Sequence, residues 1–230
     1  MAQSENRLLN SLPQNVFAAL EHHLNTVNVK FGEVVAETDQ PITRVYFPHH
    51  CIISLVVEME LGDLIETAMV GRDGVANATS ALDGKIALHR GIVQVGGDAS
   101  VIAPDALRAI ANDFEPFRSI LIRHEQVLLA QAQQSAGCNA SHTVESRMCR
   151  WLLRIRELTQ SDKLSLTQDL LAQMLGVRRT TVTLIAGTLQ QAGLIRQRRG
   201  SIEILDVDAM ESASCECYAR VHSHYERLFS

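Results

Sequence analysis

The sequence predicts an α+β chain: a β-rich first half, one long helix, and a helical C-terminal part that includes a wing. Three observations predict this. Over residues 26–103, short apolar or alternating runs are separated by turn signals. From Pro104 onward the apolar spacing becomes three and four residues, the period of a helix. The stretch 164–189 has the cap, turn glycine and apolar faces of two short helices joined by a tight turn.

The β runs are 27–31, 45–47, 52–57, 64–70, 92–95 and 100–103. Turns between them include Phe31-Gly32-Glu33, Asp39-Gln40-Pro41, Leu61-Gly62-Asp63, Gly71-Arg72-Asp73-Gly74 and Gly96-Gly97-Asp98. Strands of this length and spacing suggest a small sandwich or barrel. Asp105 stands where it could cap a short helix over 106–111. After Pro116 a longer helix aligns Phe117, Ile120, Leu121, His124, Val127, Leu128 and Gln131 on one face. That stripe suits either a dimer seam or packing on the β half. Residues 142–158 are amphipathic, with Val144, Met148, Trp151, Leu152 and Ile155 on one side. Helices over 167–175 and 178–191, a hairpin-like stretch and a terminal helix from about Val207 complete the chain.

The composition bounds the function classes. The chain has 230 residues, 46% hydrophobic and 20% charged, which argues against wholesale disorder. That length makes one large domain or two ordinary ones, and needs no disulfide or metal to fold. Unbroken apolar runs such as Val16-Phe17-Ala18-Ala19-Leu20 fall far short of the roughly 20 residues of a spanning helix. Met1-Ala2-Gln3-Ser4-Glu5-Asn6-Arg7 lacks the basic start and apolar core of a secretory leader. Cys51, Cys138, Cys149, Cys215 and Cys217 form an odd, scattered set, as expected of reduced thiols in a cytoplasm.

The strongest local signal is a helix-turn-helix. Thr167 is a good N-cap and Asp169 sits in the first turn. Leu170, Leu171, Met174 and Leu175 form a buried face, Gly176 ends the helix, and Val177 packs into the turn. In the second helix Val182, Ile185 and Leu189 point inward. Arg178, Arg179, Thr180, Thr181 and Thr183 are then candidates for the major groove, where arginine takes guanine bidentately and threonine reaches phosphate, base edge or thymine methyl. Thr167 and Gln168 start the first helix. Arg196, Arg198 and Arg199 precede Gly200 in a two-stranded wing, placed to meet phosphates.

Charge placement supports this. The chain carries −5 formally. Residues 1–141 hold 9 basic and 16 acidic side chains, net −7, and residues 142–230 hold 12 and 10, net +2. From Leu170 to Ile202 there are five arginines and no acid, the local excess that a phosphate-reading surface needs.

With these modules in order, the chain resembles the Crp/Fnr family of bacterial transcription regulators. The resemblance rests on Arg44-Val45-Tyr46-Phe47-Pro48, Val70-Gly71-Arg72-Asp73-Gly74-Val75, Val144-Glu145-Ser146-Arg147-Met148-Cys149-Arg150-Trp151-Leu152 and, above all, 166–194. It implies a double-stranded β-roll of the cyclic-nucleotide-binding type over 1–115 with flanking helices. It further implies a dimerisation helix over 116–141 and a winged helix-turn-helix DNA-binding domain over 142–230. The implied partners are double-stranded DNA, a second copy of the chain and RNA polymerase. The homodimer would read a near-palindromic operator.

Two departures from the family pattern are visible. In cyclic-nucleotide-binding members a Gly-Glu pair and a later Arg-Ser or Arg-Thr pair hold the ribose and phosphate. Here Ala76-Asn77 and Arg90-Gly91 stand at those places. Gly71, Arg72, Asp73, Gly74, Asn77 and Arg90 form the candidate cassette, and cyclic AMP in the usual manner is not expected there. The sequence specifies no cofactor and leaves room for an unidentified small-molecule effector. In the recognition helix, Thr180 and Leu184 replace an expected glutamate and arginine, so the operator should differ; either could read a thymine methyl.

Other chemistry has little support. No nucleophile elbow, phosphate-binding Walker loop or His-Glu-x-x-His helix is present, and no catalytic residue is expected. An N-terminal cysteine cluster of the iron–sulfur type is missing. Cys215 and Cys217 with His222 and His224 are suitable zinc donors. On one continuous helix, however, the two thiols diverge by about 200°, so a common site would need the helix to break, and no metal is expected. The competing function is a small-molecule sensor whose winged module contacts a protein rather than DNA; the acid-free basic window argues against it.

Overall fold

The computed structural model describes residues 4–60 and 62–229; residues 1–3 and Leu61 of a predicted turn lie outside them. The chain opens with two short helices, α1 (Arg7–Asn10) and α2 (Gln14–Glu21). Asn6 caps α1, its Oδ1 accepting from the Leu9 amide at 3.0 Å. Its amide group donates to the Pro48 and Gly74 carbonyls at 2.8 and 2.9 Å, tying the N-terminus to the 71–74 turn.

Seven strands follow: β1 (Asn25–Val29), β2 (Val34–Ala36), β3 (Val45–Pro48), β4 (Ile52–Glu58), β5 (Leu64–Val70), β6 (Arg90–Val95) and β7 (Gly97–Ile102). They form two antiparallel sheets, β1-β7-β3 and β2-β6-β4-β5, packed as a β-roll. Val29, Tyr46, Val101, Ile53, Val70 and Val93 meet between them. The three-residue β2 was absent from the predicted set; it is too short to show a period of two. A 3-10 turn (Ala78–Leu82) crosses between β5 and β6.

Helix α3 (Pro104–Asp113) starts with proline in its first turn and Ala103 at the cap. Asp105 therefore does not cap it, but lies in the first turn, where its charge suits the helix dipole. Helix α4 (Glu115–Ser141) is 27 residues long, about 40 Å at 1.5 Å per residue. Phe117, Ile120, Leu121, His124, Leu128 and Gln131 are buried within their own chain. The predicted stripe thus packs against the rest of the chain, with Val127 half-buried, and Ile122 and Leu129 are the large apolar side chains that α4 leaves exposed.

Helix α5 (Val144–Thr159) is capped by Thr143, which accepts from the Ser146 amide at 3.3 Å. Strand β8 (Lys163–Leu164), helices α6 (Gln168–Leu175) and α7 (Arg179–Gln191), and strands β9 (Ile195–Arg198) and β10 (Ser201–Ile204) make the winged module, with sheet order β8-β10-β9. The expected terminal helix is two, α8 (Val207–Ala213) and α9 (Cys217–Leu228), with Ser214 extended between them.

One apolar core joins the β-roll to the winged module. Ile52, Val56 and Met69 pack with Met148, Trp151, Leu152 and Ile155. Two buried polar contacts fix this joint. Glu66 accepts from Trp151 Nε1 at 2.8 Å and from the Ser54 hydroxyl; burial pushes its carboxyl up to about 7. Arg154 pairs with Asp73 at 2.8 Å, both side chains nearly inaccessible, and its guanidinium lies 4.2 Å over the Tyr225 ring. The Tyr225 hydroxyl donates to Gln131 at 3.0 Å, bringing α4, α5 and α9 to one point.

Candidate nucleic-acid interface

The helix-turn-helix is built as its residues require. The Thr167 side chain accepts from the Leu170 amide at 3.1 Å, capping α6. Gly176 takes a φ of +62°, a left-handed geometry that costs a β-carbon-bearing residue energy. The Val177 amide then closes on the Ala172 carbonyl at 2.9 Å, satisfying the helix end. Leu170, Leu171, Met174, Leu175, Val182, Ala186 and Leu189 are buried, and Ile185 is half-buried. The turn and the buried residues therefore set α7 against α6.

That packing leaves Arg178, Arg179, Thr180, Thr183 and Leu184 exposed, with Leu184 at 72%. Thr181 is half-buried, so it stands at the rim rather than on the face. The starts of α6 and α7 and the wing tip converge on one notch, lined by Gln168, Asp169, Arg179, Gln197, Arg198 and Arg199 among others. A relay holds it in register: Thr183 Oγ1 donates to Gln168 at 2.7 Å, and Gln168 donates to Gln197 at 2.8 Å. Gly200, at φ +74°, turns the wing.

The acid-free window is less isolated in space than in sequence. Its two flanking acids fold back onto it. Asp169 lies 3.4 Å from Arg179, with both side chains largely exposed, and Glu203 lies 2.8 Å from Arg196. Glu203 faces Arg196 directly across the β9–β10 ladder, a pairing legible once the hairpin register is known. Arg178, Arg198 and Arg199 have no ion pair among the described residues.

The predicted cassette is divided. A cavity of about 480 Å³ lies between the β-roll and α4, and Asn77 lines it with Leu55, Thr67, Leu88, His89 and Glu125 among others. No lysine or arginine is among its lining residues. Burial lowers the affinity of His89 for a proton, and its Nε2 is buried without a hydrogen-bond partner among the described residues. The Gly71–Gly74 turn faces elsewhere. A β-carbon at Gly71 would lie 2.7 Å from Leu158, and one at Gly74 2.5 Å from His124, so these glycines admit α5 and α4. Asp73 is taken by Arg154. The Arg72 carbonyl accepts from the Arg7 amide at 2.6 Å. Arg90 is ion-paired to Glu58 at 2.6 Å and Glu37 at 3.3 Å. Asn77 sits at φ +68° and donates to the Arg44 carbonyl at 3.0 Å.

The C-terminal thiols also meet partners that sequence spacing did not suggest. Because the chain breaks at Ser214, Cys215 and Cys217 do not share one helix. They lie beside Cys138 and His142 of the α4 end, the four donor atoms all within 4.8 Å of one another. His222 instead sits 2.9 Å from Glu157. The missed signal was Cys138-x-x-x-His142, two donors one helical turn apart.

Residues 146–213 match the Crp-like helix-turn-helix domain family. Among solved structures, a protein described as a transcriptional regulator of the Crp/Fnr family from Eubacterium rectale matches with a TM-score of 0.69 at 18% identity, covering 91% of this chain and 98% of that one. A CRP-family transcriptional regulator from Thermus thermophilus matches at 0.69 and 16%, covering 82% and 96%. FixK2 from Bradyrhizobium japonicum matches at 0.69 and 13%, covering 84% and 98%. No curated protein sequence matches the chain. No described helix is long and apolar enough to cross a membrane. The chain carries a Crp-like helix-turn-helix domain on the fold of the Crp/Fnr-family transcription regulators.

Proposed function

We propose that the chain is a sequence-specific, homodimeric transcription regulator, with a sensor over 1–115, a dimer helix over 116–141 and a DNA-binding module over 142–230. The observation that carries this reading is the convergence of Arg179, Gln168, Arg198 and Arg199 around one notch, with Arg178 and Thr180 exposed beside it. A helix entering the major groove presents its first turns to base edges, and a wing meets the flanking phosphates. Leu184 is positioned to touch a thymine methyl. The α4 face bearing Ile122 and Leu129, seven residues apart and exposed, is the proposed dimer seam. A two-fold dimer would present two recognition helices to half-sites about 34 Å apart.

The cavity beside Asn77 supports an effector other than a cyclic nucleotide, because no lining cation can neutralise a phosphate. A largely apolar molecule that hydrogen-bonds a neutral His89 fits its chemistry. Occupation would press on Leu128 and Leu129 of α4, and so on the seam.

Genomic footprinting of the purified protein tests the reading. Enriched near-palindromic sites are expected, with half-sites one helical turn apart. Their absence would favour a winged module that contacts protein. Calorimetric titration with cyclic AMP should show no heat of binding; tight binding would refute the effector class.

A further inference from the structure

The thiol cluster at the junction of α4, α8 and α9 has the composition and shape of a metal centre. Cys138 lies in the last turn of α4 and His142 caps its end, the His142 amide donating to the Cys138 carbonyl, and their donor atoms meet in one cluster. Cys215 lies in the break between α8 and α9 and Cys217 opens α9, so both thiols turn toward the same point. The Cys138 and Cys215 sulfurs are 3.5 Å apart, and Cys217 Sγ is 3.5 Å from His142 Nδ1. A tetrahedral zinc site, with metal–sulfur bonds of about 2.3 Å and metal–nitrogen bonds of about 2.0 Å, has donor–donor edges of roughly 3.5–3.8 Å. Two edges are therefore already at length. The widest separation, within 4.8 Å, needs about 1 Å of closure, within the reach of cysteine rotamers.

The surroundings fit the same chemistry. His142 Nε2 lies 3.2 Å from Glu216, leaving Nδ1 on the cluster side. A carboxylate behind a ligating imidazole fixes its tautomer and raises its basicity. Gln134 donates to Cys217 Sγ at 3.0 Å, a bond that a thiolate would strengthen. Arg147 and Arg150 are near enough to act electrostatically on Cys138, and so to offset the net negative charge of three thiolates around a divalent ion. Among the described residues these three cysteines form an apolar cluster of their own, separate from the β-roll cavity and the DNA face.

We propose that Cys138, His142, Cys215 and Cys217 form a closed tetrahedral site for a thiophilic divalent cation, zinc by its donor set. With four protein ligands the site leaves no open position for substrate, so its role is to hold. It pins the start of α9 to the end of α4, at the point where the chain passes into the DNA-binding helices. Arg147 extends the link, donating to the Leu175 carbonyl beside the turn of the helix-turn-helix. Three thiols must lose protons when the ion binds, so uptake releases acid.

The test uses the full chain, reduced, stripped with a chelator and titrated with Co²⁺ or Zn²⁺ alone. One equivalent per chain is expected, with intense thiolate-to-cobalt charge transfer and tetrahedral d–d bands that zinc displaces. Cys217→Ser and His142→Ala should weaken uptake by 100-fold or more, by the order expected when a ligand is lost, and Glu216→Gln by about 10–100-fold. His142 is only half-buried, so His142→Ala keeps the test informative if a cysteine variant misfolds. Cys51→Ser and Cys149→Ser should bind as the wild type does. An octahedral cobalt spectrum, no uptake at micromolar metal, or full uptake by His142→Ala would overturn the site. So would a Cys138–Cys215 disulfide whose reduction restores no metal binding. None of these readouts depends on DNA.

Discussion

The 71–90 region of the β-roll and the wing both offer charged residues in turns, yet the structure uses them in opposite ways. Asp73 is closed onto Arg154 inside the protein, and Arg90 is held by two glutamates. Arg178, Arg198 and Arg199 are exposed and have no ion pair among the described residues. A group whose partner is supplied by its own chain is a joint; one whose partner is missing is a candidate contact. The turn that resembles a phosphate cassette thus joins the β-roll to the helical module, while Arg178 and the wing-tip residues Arg198 and Arg199 face outward.

The largest predicted effect lies at that joint. Arg154→Ala should strand Asp73 as an unpaired buried charge and destabilise the fold by about 3–5 kcal/mol, read by chemical denaturation. A loss below about 1 kcal/mol would show that the pair is not buried as described. Replacing both partners by apolar residues should recover much of the loss.

The next effect is a pH dependence. Glu66 has its folded pKa raised from 4.5 to about 7 by burial. The folded chain therefore keeps a proton that the unfolded chain releases above about 4.5. The stability is present below that value and is lost as pH rises toward about 7, by up to about 3 kcal/mol at 1.36 kcal/mol per unit. Glu66→Gln should flatten this window while keeping the Trp151 contact; identical pH profiles for variant and wild type would remove Glu66 from the joint. At the small end, Leu184→Ala should leave stability within about 0.5 kcal/mol and cost about 1 kcal/mol of base discrimination at one operator position. Equal affinity for every base there in both proteins would take Leu184 off the reading face.

Local structure was legible where a residue's role depends on its neighbours in the chain. Thr167, Gly176 and Gly200 are cap, helix end and wing turn because each acts within a few residues. The apolar spacing of α4 and α5 likewise gave both helices. What the sequence hid was long-range. The α4 stripe could not declare its partner, because a dimer seam and an intramolecular core have the same period. Asp73 and Arg154 are 81 positions apart, and nothing local links them. The terminal helix divides at Ser214 without a proline or glycine to mark it, so sequence spacing points Cys215 and Cys217 toward His222 and His224, while the fold brings them to Cys138 and His142. Asp169 and Glu203 bordered a window that looked purely basic.

Under the proposed function, the outward arginines, and not the cassette turn, meet DNA. The salt dependence of binding to duplex DNA tests it most directly. Relative to wild type, Arg198→Ala with Arg199→Ala should reduce the slope of log affinity against log salt by about 2, weaken binding across operator and random duplex alike, and leave thermal stability unchanged. An unchanged slope in a folded double variant would contradict the account.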